Sequence, residues 1–255
     1  MPDTERDNAE LDSMVRNERY PRSAGYATRW MLSGNMGPNP LWLAESLSSV
    51  MPLEPGMRIL DMGCGAALSS IFLAKEFDVE VWAADLWVKP TENWQRITEA
   101  GLAGRVHPVF AEAHALPFAD GFFDALVSYD AYQYFGTADL YLDYYRRFVQ
   151  PGGQIGIVVP GLAVEPAALP PRHLADHWEW DFCAWHSPDW WRRHWEKTGL
   201  VDIDVCDRLP DGWRDWSQWN SACDLDRGEE HATAALLRAD AGQLLGFTRV
   251  AARRR

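Results

Sequence analysis

The chain has 255 residues, 47% of them hydrophobic, and carries a formal net charge of −13 at pH 7. This length fits one α/β domain with a substantial core. The acidic balance excludes a typical nucleic-acid partner, because a phosphate backbone needs clustered Lys and Arg, and such a cluster occurs only at Arg253-Arg254-Arg255. We find no apolar run of membrane-spanning length and no signal-peptide core in residues 1–20, so we expect a cytoplasmic protein without membrane contact.

In chain order, residues 1–37 show weak periodicity and predict an N-terminal arm of short helices. Asn39-Pro40 then provides a helix N-cap followed by proline at the first helical position. From residue 38 onward, apolar strand patterns alternate with helical patterns, which is typical of a mostly parallel sheet. The four cysteines are far apart and form no C-x-x-C pair, so we expect reduced thiols rather than a disulfide frame or a zinc site.

The first strand pattern runs directly into a glycine turn, Ile59-Leu60-Asp61-Met62-Gly63-Cys64-Gly65. Both glycines can adopt positive φ and lack Cβ, and a helical pattern follows, so a ligand would bind at the amino end of that helix. The second strand pattern ends at Asp85, whose carboxylate can accept hydrogen bonds from a ribose. Leu68 stands where dinucleotide sites have a third glycine, which argues against NAD.

These motifs are followed by Ala111 to Phe118, Phe123 to Ser128 and Pro151-Gly152-Gly153. In this order the chain resembles the class I S-adenosylmethionine-dependent methyltransferases over residues 38–161, in particular the methyltransferase type 11 and cyclopropane-synthase-like small-molecule branch. The resemblance implies a three-layer Rossmann-like α/β fold whose seven-stranded sheet has the order 3-2-1-4-5-7-6, with strand 7 antiparallel. It also implies a methyltransferase domain over 38–255 with lid insertions at 160–186 and 208–243.

The resemblance further implies S-adenosyl-L-methionine as the cofactor. The glycine-turn backbone would face its methionine part, Asp85 its ribose, and Glu112 with Ala113 its adenine edge. The predicted cofactor-binding residues are Asp61, Gly63, Cys64, Gly65, Asp85, Leu86, Glu112, Ala113 and Ser128. For Asp61 the sequence leaves an alternative open, in which its carboxylate only fixes the loop through hydrogen bonds.

Residues 128–136 follow the fourth strand, where ligands of open α/β sheets bind. The segment is similar to the Ser-x-x-Ala-Phe-Glu-His-Phe-Gly pattern of cyclopropane and mycolic-acid synthases, with Gln133 and Tyr134 in place of the acid and the histidine. Neutral Gln133 could not hold a bicarbonate base, which disfavours cyclopropanation. The predicted catalytic residues are Tyr132, Gln133, Tyr134 and His186, although the tyrosines could equally form only the pocket wall.

His173 and His177 are four residues apart, which places them on one face of a helix and also suits a metal. The chain lacks H-E-x-x-H, however, and methyl transfer needs no Lewis acid, so we predict no metal and favour substrate contacts. Nine of the fourteen tryptophans lie between Trp178 and Trp219. The predicted substrate-binding residues are His173, His177, Trp178, Trp180 and Trp185.

Other tryptophans have helical spacing. Trp191 and Trp195 are expected to pack against the sheet, whereas Trp213, Trp216 and Trp219 predict a stripe that covers the pocket or contacts a partner subunit, which leaves a homodimer open. The resulting hypothesis is a methyltransferase that acts on a small, partly apolar metabolite at oxygen, nitrogen or carbon. The alternative is a relative that binds S-adenosylmethionine without transferring the methyl group, or that catalyses another reaction such as a cyclisation.

Overall fold

The computed structural model describes residues 2–230 and 233–255. The strands in these ranges are β1 Arg58–Met62, β2 Glu80–Asp85, β3 Val106–Phe110, β4 Phe123–Tyr129, β5 Val149–Leu162, β6 Val201–Arg208 and β7 Leu245–Arg254. They form a seven-stranded sheet in the order β3-β2-β1-β4-β5-β7-β6. Strands β1 to β5 pair in parallel, and β7 is antiparallel to both of its neighbours. The order and the antiparallel β7 confirm the fold that the family resemblance implied.

The described helices are α1 Pro2–Val15, α2 Thr28–Ser33, α3 Pro40–Ser48, α4 Leu68–Phe77, α5 Pro90–Glu99, α6 Tyr141–Tyr145, α7 Pro188–Glu196, α8 Gly212–Arg227 and α9 Ala234–Asp240. The Asn39 side chain caps α3 by accepting hydrogen bonds from the amides of Leu41 and Trp42. Ser187 caps α7 in the same way through the amide of Trp190. Along the described chain, no helix is long and apolar enough to cross a membrane.

The sheet separates two clusters of buried hydrophobic side chains. Ile59 and Leu60 are consecutive in β1 and belong to different clusters, because successive side chains of a strand point to opposite faces. One cluster includes side chains of α3, α4 and α8, and the other includes side chains of α6 and α7. The sheet is therefore covered on both sides, as the parallel β1 to β5 require.

The segment before α3 is fixed to the rest of the domain. Helix α1 contacts α8. The Tyr20 hydroxyl donates a 2.7 Å hydrogen bond to Asp215 of α8, and the Tyr20 ring stacks on Trp42. The Ser23 hydroxyl donates a 2.6 Å hydrogen bond to Glu45 of α3. The segment before α3 is thereby held against α3 and α8.

Strand β5 extends to Leu162 because its carboxyl half continues to pair with β7 as far as Leu245. The segment before β5 contains α6 and a short 3-10 helix over Arg146–Phe148. The first segment proposed as a lid thus begins within a strand.

The tryptophans of α7 and α8 mostly belong to the core. Trp191 and Trp195 are completely buried beneath the sheet, which confirms their predicted packing. Trp216 and Trp219 are also buried, in the chain's own core. The predicted stripe on α8 is therefore covered within this chain.

Replacing Trp195 by alanine should lower the free energy of unfolding by about 3–5 kcal/mol, because a completely buried indole leaves a cavity. Trp180→Ala is the matched control, since Trp180 is 87% exposed and its loss should change stability by less than about 0.5 kcal/mol. Urea unfolding of both variants measures the difference. Equal losses in the two variants would contradict the assignment of Trp195 to the core.

Candidate functional site

The turn after β1 brings backbone close to two other segments. Gly63 and Gly65 have φ of 74° and 53°, a region that side chains disfavour. A Cβ on Gly63 would overlap Ala131, and one on Gly65 would lie 2.9 Å from Met36 Sδ. Cys64 between them is buried, and burial raises the pKa of its thiol, so the thiol stays protonated. A side chain at Gly63 would clash with Ala131, and one at Gly65 would be strained by the positive φ.

Asp61 of β1 fixes this turn through hydrogen bonds to the start of α4. Its Oδ2 accepts hydrogen bonds from the hydroxyls of Ser69 and Ser70 at 2.6 and 2.7 Å, both in the first turn of α4. Its Oδ1 has no hydrogen-bond partner in residues 2–230 and 233–255. Burial raises the pKa of Asp61 to about 6, against the lowering effect of the two serines. Asp61 does not line the cavity described below, and its contacts are those of the loop-fixing alternative, made to hydroxyls instead of amides.

Asp85 joins the glycine turn to the loop after β2. Its Oδ2 accepts a 2.8 Å hydrogen bond from the amide of Gly65. Its Oδ1 accepts hydrogen bonds from the amides of Trp87 and Val88 at 2.7 and 2.9 Å. Because each carboxylate oxygen has two lone pairs, Oδ2 can accept one further hydrogen bond. Asp85 thus combines a structural role with a free acceptor position.

A cavity of about 330 Å³ opens beyond the carboxyl ends of β1, β2 and β4. Many predicted site residues line it: Gly63, Cys64, Gly65, Asp85, Leu86, Glu112, Ala113 and Tyr134. This position, at the edge where parallel strands end, is where open α/β sheets bind ligands. The structure therefore brings the glycine turn, Asp85 and the pair Glu112 and Ala113 together around one cavity.

Glu112 and His114 interact at the rim of this cavity. Glu112 accepts hydrogen bonds from the His114 amide at 2.9 Å and from His114 Nδ1 at 2.8 Å. The bond from the His114 ring lowers the pKa of Glu112. This local pairing holds the loop after β3 against the cavity, with Ala113 between the two residues.

Ser128 and Tyr132 lie outside the cavity. The Ser128 hydroxyl donates a 2.7 Å hydrogen bond to the carbonyl of Met62, which links β4 to β1. Tyr132 is completely buried in the cluster beneath the sheet, with its ring 5.7 Å from that of Trp191 and 5.8 Å from that of Trp195. Burial raises the pKa of Tyr132 far above its ordinary range. In this arrangement Tyr132 cannot reach a ligand in the cavity.

Gln133 and Tyr134 occupy different positions although they are adjacent. Gln133 is buried and its amide donates a 3.3 Å hydrogen bond to Asp130 Oδ1. Tyr134 lines the cavity and is 54% exposed. Burial of its remaining surface, together with nearby acids, raises the pKa of Tyr134 to about 12, so its hydroxyl is neutral and can donate a hydrogen bond.

The predicted histidine and tryptophan contacts are not at the cavity. The segment Arg172–His177 is a 3-10 helix with three residues per turn, so His173 and His177 do not share a face. His173 Nε2 lies 3.1 Å from Asp240 Oδ1, and His177 is exposed. Among the residues that the structure describes, no three His, Cys, Asp or Glu side chains are grouped to hold a metal ion.

The aromatic part of the same segment packs on itself. Trp185 stacks on Phe182 with ring centroids 3.9 Å apart, and the Trp178 ring contacts both. Trp180 is exposed, and His186 stacks on Trp190 and bonds Glu165 at 3.2 Å. These four predicted residues, Trp178, Trp180, Trp185 and His186, therefore lie away from the cavity wall.

Several lining residues were not among the predicted site residues, and they include Met36, Gly37, Trp87 and Asp130. Met36 and Gly37 carried no sequence signal, because the return of the N-terminal segment brings them to the site. Asp130 did carry a sequence signal, because it is an acidic residue directly after β4. It has a φ of 53° and keeps some exposure toward the cavity, while the dense protein around it raises its pKa to about 7.

Asp130→Asn should raise the melting temperature of the free protein more at about pH 8 than at about pH 5. Burial raises the pKa of Asp130 in the folded protein from 3.8 to about 7, so the folded state binds this proton more tightly than the unfolded state does. Stability therefore falls as pH rises between these values, and asparagine removes that loss. Thermal unfolding without ligand tests this, and equal shifts at both pH values would contradict it.

Comparison with known proteins places these features in a known group. Residues 59–153 match the family model described as a methyltransferase domain. The chain is 33% identical over 116 residues to the O-methyltransferase rstn1 of Aspergillus nomiae, which covers 45% of this chain and 50% of the relative. It is 29% identical over 128 residues to the 27-O-demethylrifamycin SV methyltransferase of Amycolatopsis mediterranei, with 50% and 47% covered. The aligned parts thus span about half the length of these curated relatives.

The fold is also similar to that of a solved structure, the 4+2 cyclase SpnF, with a TM-score of 0.66. This match covers 87% of the present chain and 83% of SpnF at 19% sequence identity. At that identity the similarity concerns the fold alone. It extends beyond the matched domain model to most of the chain.

Proposed function

Because the chain belongs to the class I S-adenosylmethionine-dependent methyltransferase family, we propose that it transfers a methyl group to a small, partly apolar metabolite. The observation that carries the proposal is the cavity bounded by the glycine turn and Asp85 at the carboxyl ends of the strands. Its lining is mainly apolar, which suits an acceptor with an apolar body.

The residues present fit S-adenosylmethionine. The side-chain-free backbone at Gly63 and Gly65 leaves room for close approach of the methionine part. The free acceptor position on Asp85 Oδ2 suits a ribose hydroxyl, and the loop of Glu112 and Ala113 suits the adenine edge. The cofactor, when bound, supplies a methyl group on a positively charged sulfur. The acidic residues that line the cavity, Asp85, Glu112 and Asp130, favour that positive charge.

The protein contributes mainly position and exclusion of water, which are the principal needs of methyl transfer. Met36 and Trp87 stand at the cavity and are 53% and 75% exposed, so they can cover a bound ligand. The 3-10 helix Trp180–Ala184 contacts the turn that carries Tyr134. We propose that residues 160–186 form a lid over the cavity and that residues 208–243 form a second insertion.

Asp85→Ala should weaken binding of S-adenosylmethionine about tenfold or more, because a ribose partner and the amide contact of Gly65 are both lost. Glu80→Ala is the matched control, since Glu80 is an acid at the opposite end of β2. Calorimetric titration measures both variants, and NAD should not bind either. An unchanged dissociation constant for Asp85→Ala would remove this residue from the site.

Incubation of the protein with S-adenosylmethionine and a metabolite extract should produce S-adenosylhomocysteine and an acceptor that has gained the mass of one CH₂ group. A product of unchanged mass, formed without S-adenosylhomocysteine, would instead support the cyclisation alternative. Asp85→Ala serves as the low-affinity control. Tight cofactor binding without either product in any extract would contradict the proposed transfer.

A further inference from the structure

The charges around the cavity have one sign. Its acidic lining residues are Asp85, Glu112 and Asp130, and its only basic lining residue in the described chain is His114. His114 is engaged with Glu112. No lysine or arginine of the described ranges lines the cavity. An anionic acceptor would meet repulsion here and no compensating cation.

Asp130 differs from the other two acids in its hydrogen bonds. Asp85 accepts three backbone amides, and Glu112 accepts two hydrogen bonds from His114. Within the described part of the chain, the Asp130 side chain accepts only one hydrogen bond, a long one of 3.3 Å from the Gln133 amide to Oδ1. A carboxylate in a dense surrounding that lacks a cation and a full set of donors is costly to keep charged. A ligand that brings a cation and donors would remove this cost.

The backbone holds Asp130 at the cavity. Its amide donates a 2.9 Å hydrogen bond to the carbonyl of Val158 in β5, and its positive φ turns the chain back toward the glycine turn. Its Oδ2 lies so close to Gly37 that a Cβ there would overlap it. The carboxylate is thus enclosed between the turn after β4 and the N-terminal segment.

Two further acids, Glu179 and Asp181, lie near Tyr134 and add to the negative charge around the cavity. Asp181 and Glu179 act on Tyr134 together with Asp130, and all three raise its pKa. Asp181 Oδ1 is buried and has no hydrogen-bond partner among the described residues. Tyr134, which lines the cavity, is therefore close to three acids that favour a nearby positive charge.

The remaining wall is apolar and aromatic. Met36, Leu86, Trp87 and Phe135 line the cavity beside Tyr134. The rings of Trp87 and Tyr134 have centroids 6.5 Å apart. Aromatic rings bind both apolar ring systems and cations through their faces. The wall suits a ligand with a charged end and a ring-bearing body.

We propose that the methyl acceptor is a primary or secondary amine on an apolar, ring-bearing body, and that its ammonium pairs with the Asp130 carboxylate. The assignment rests on the proposed function for the transfer step and names its acceptor class. The ammonium gives one proton to Asp130, and the nitrogen lone pair forms a bond to the methyl carbon. The methyl–sulfur bond breaks with its electron pair on sulfur, and the product keeps one positive charge on nitrogen.

Three probes that share a phenyl ring on a two-carbon chain test the charge preference: phenethylamine, phenethyl alcohol and hydrocinnamate. Each is titrated calorimetrically into protein saturated with S-adenosylhomocysteine. The amine should bind about tenfold or more tighter than the alcohol and the carboxylate, because a charge-assisted hydrogen bond is added in a partly enclosed site. An alcohol that binds as tightly as the amine, or no measurable amine binding, overturns the proposal.

Asp130→Asn should abolish the preference for the amine while the affinity for S-adenosylhomocysteine changes less than about threefold, which also shows that the variant is folded. Asp120→Asn is the matched control, because it removes the same charge from a side chain that is 63% exposed and paired with Arg147. It should keep the preference. A preference that survives in Asp130→Asn overturns the proposal.

Loss of S-adenosylhomocysteine affinity in Asp130→Asn, as large as the loss of amine affinity, would place Asp130 in the cofactor site and also overturn the proposal. S-adenosylhomocysteine that fails to bind the wild-type chain would overturn the proposed function alone. The same three titrations into the free protein then decide the amine preference separately.

Discussion

The hydrogen bonds of Asp85 define the shape of the site. Its carboxylate accepts the amide of Gly65 on one side and the amides of Trp87 and Val88 on the other, so one side chain connects the turns after β1 and β2. These turns would otherwise present unpaired amides to the cavity, which is costly in a partly enclosed place. The same arrangement leaves an acceptor position free beside the glycine turn. One carboxylate therefore joins the two turns and keeps an acceptor position at the cavity.

The strands of the sheet, and the meeting of the glycine turn with Asp85 at one cavity, could be predicted because their determinants are local. The residues around Gly63 form a strand, a turn and a helix within one short segment, and Asp85 lies directly at the end of β2, so each feature is visible in the local sequence. The strand order came from the family resemblance, since alternation alone does not specify it. Met36 and Gly37 could not be predicted, because contacts of Tyr20 and Ser23 with distant helices bring that segment to the cavity.

The aromatic residues after β5 show a different limit of sequence reasoning. Tryptophan suits both pockets and cores, and the sequence does not distinguish the two when the local conformation is unknown. Here the chain forms short 3-10 helices, so Trp178 and Trp185 meet Phe182 instead of the cavity. The same conformation separates His173 from His177. Periodicity was misleading where the period itself changed from 3.6 to 3.0 residues per turn.

The turn after β4 links the two halves of the site. Ala131 lies against Gly63 of the glycine turn, while the preceding Asp130 lies against Gly37 of the N-terminal segment. A Cβ on Gly63 would overlap the Ala131 Cβ, and one on Gly37 would overlap the Asp130 carboxylate, so the lack of side chains at both glycines lets this turn pack closely against both segments. Methyl transfer depends on a fixed separation of donor and acceptor, because small displacements are costly in rate. The positive φ of Asp130 is consistent with such a constraint, since residues with a side chain disfavour this backbone conformation.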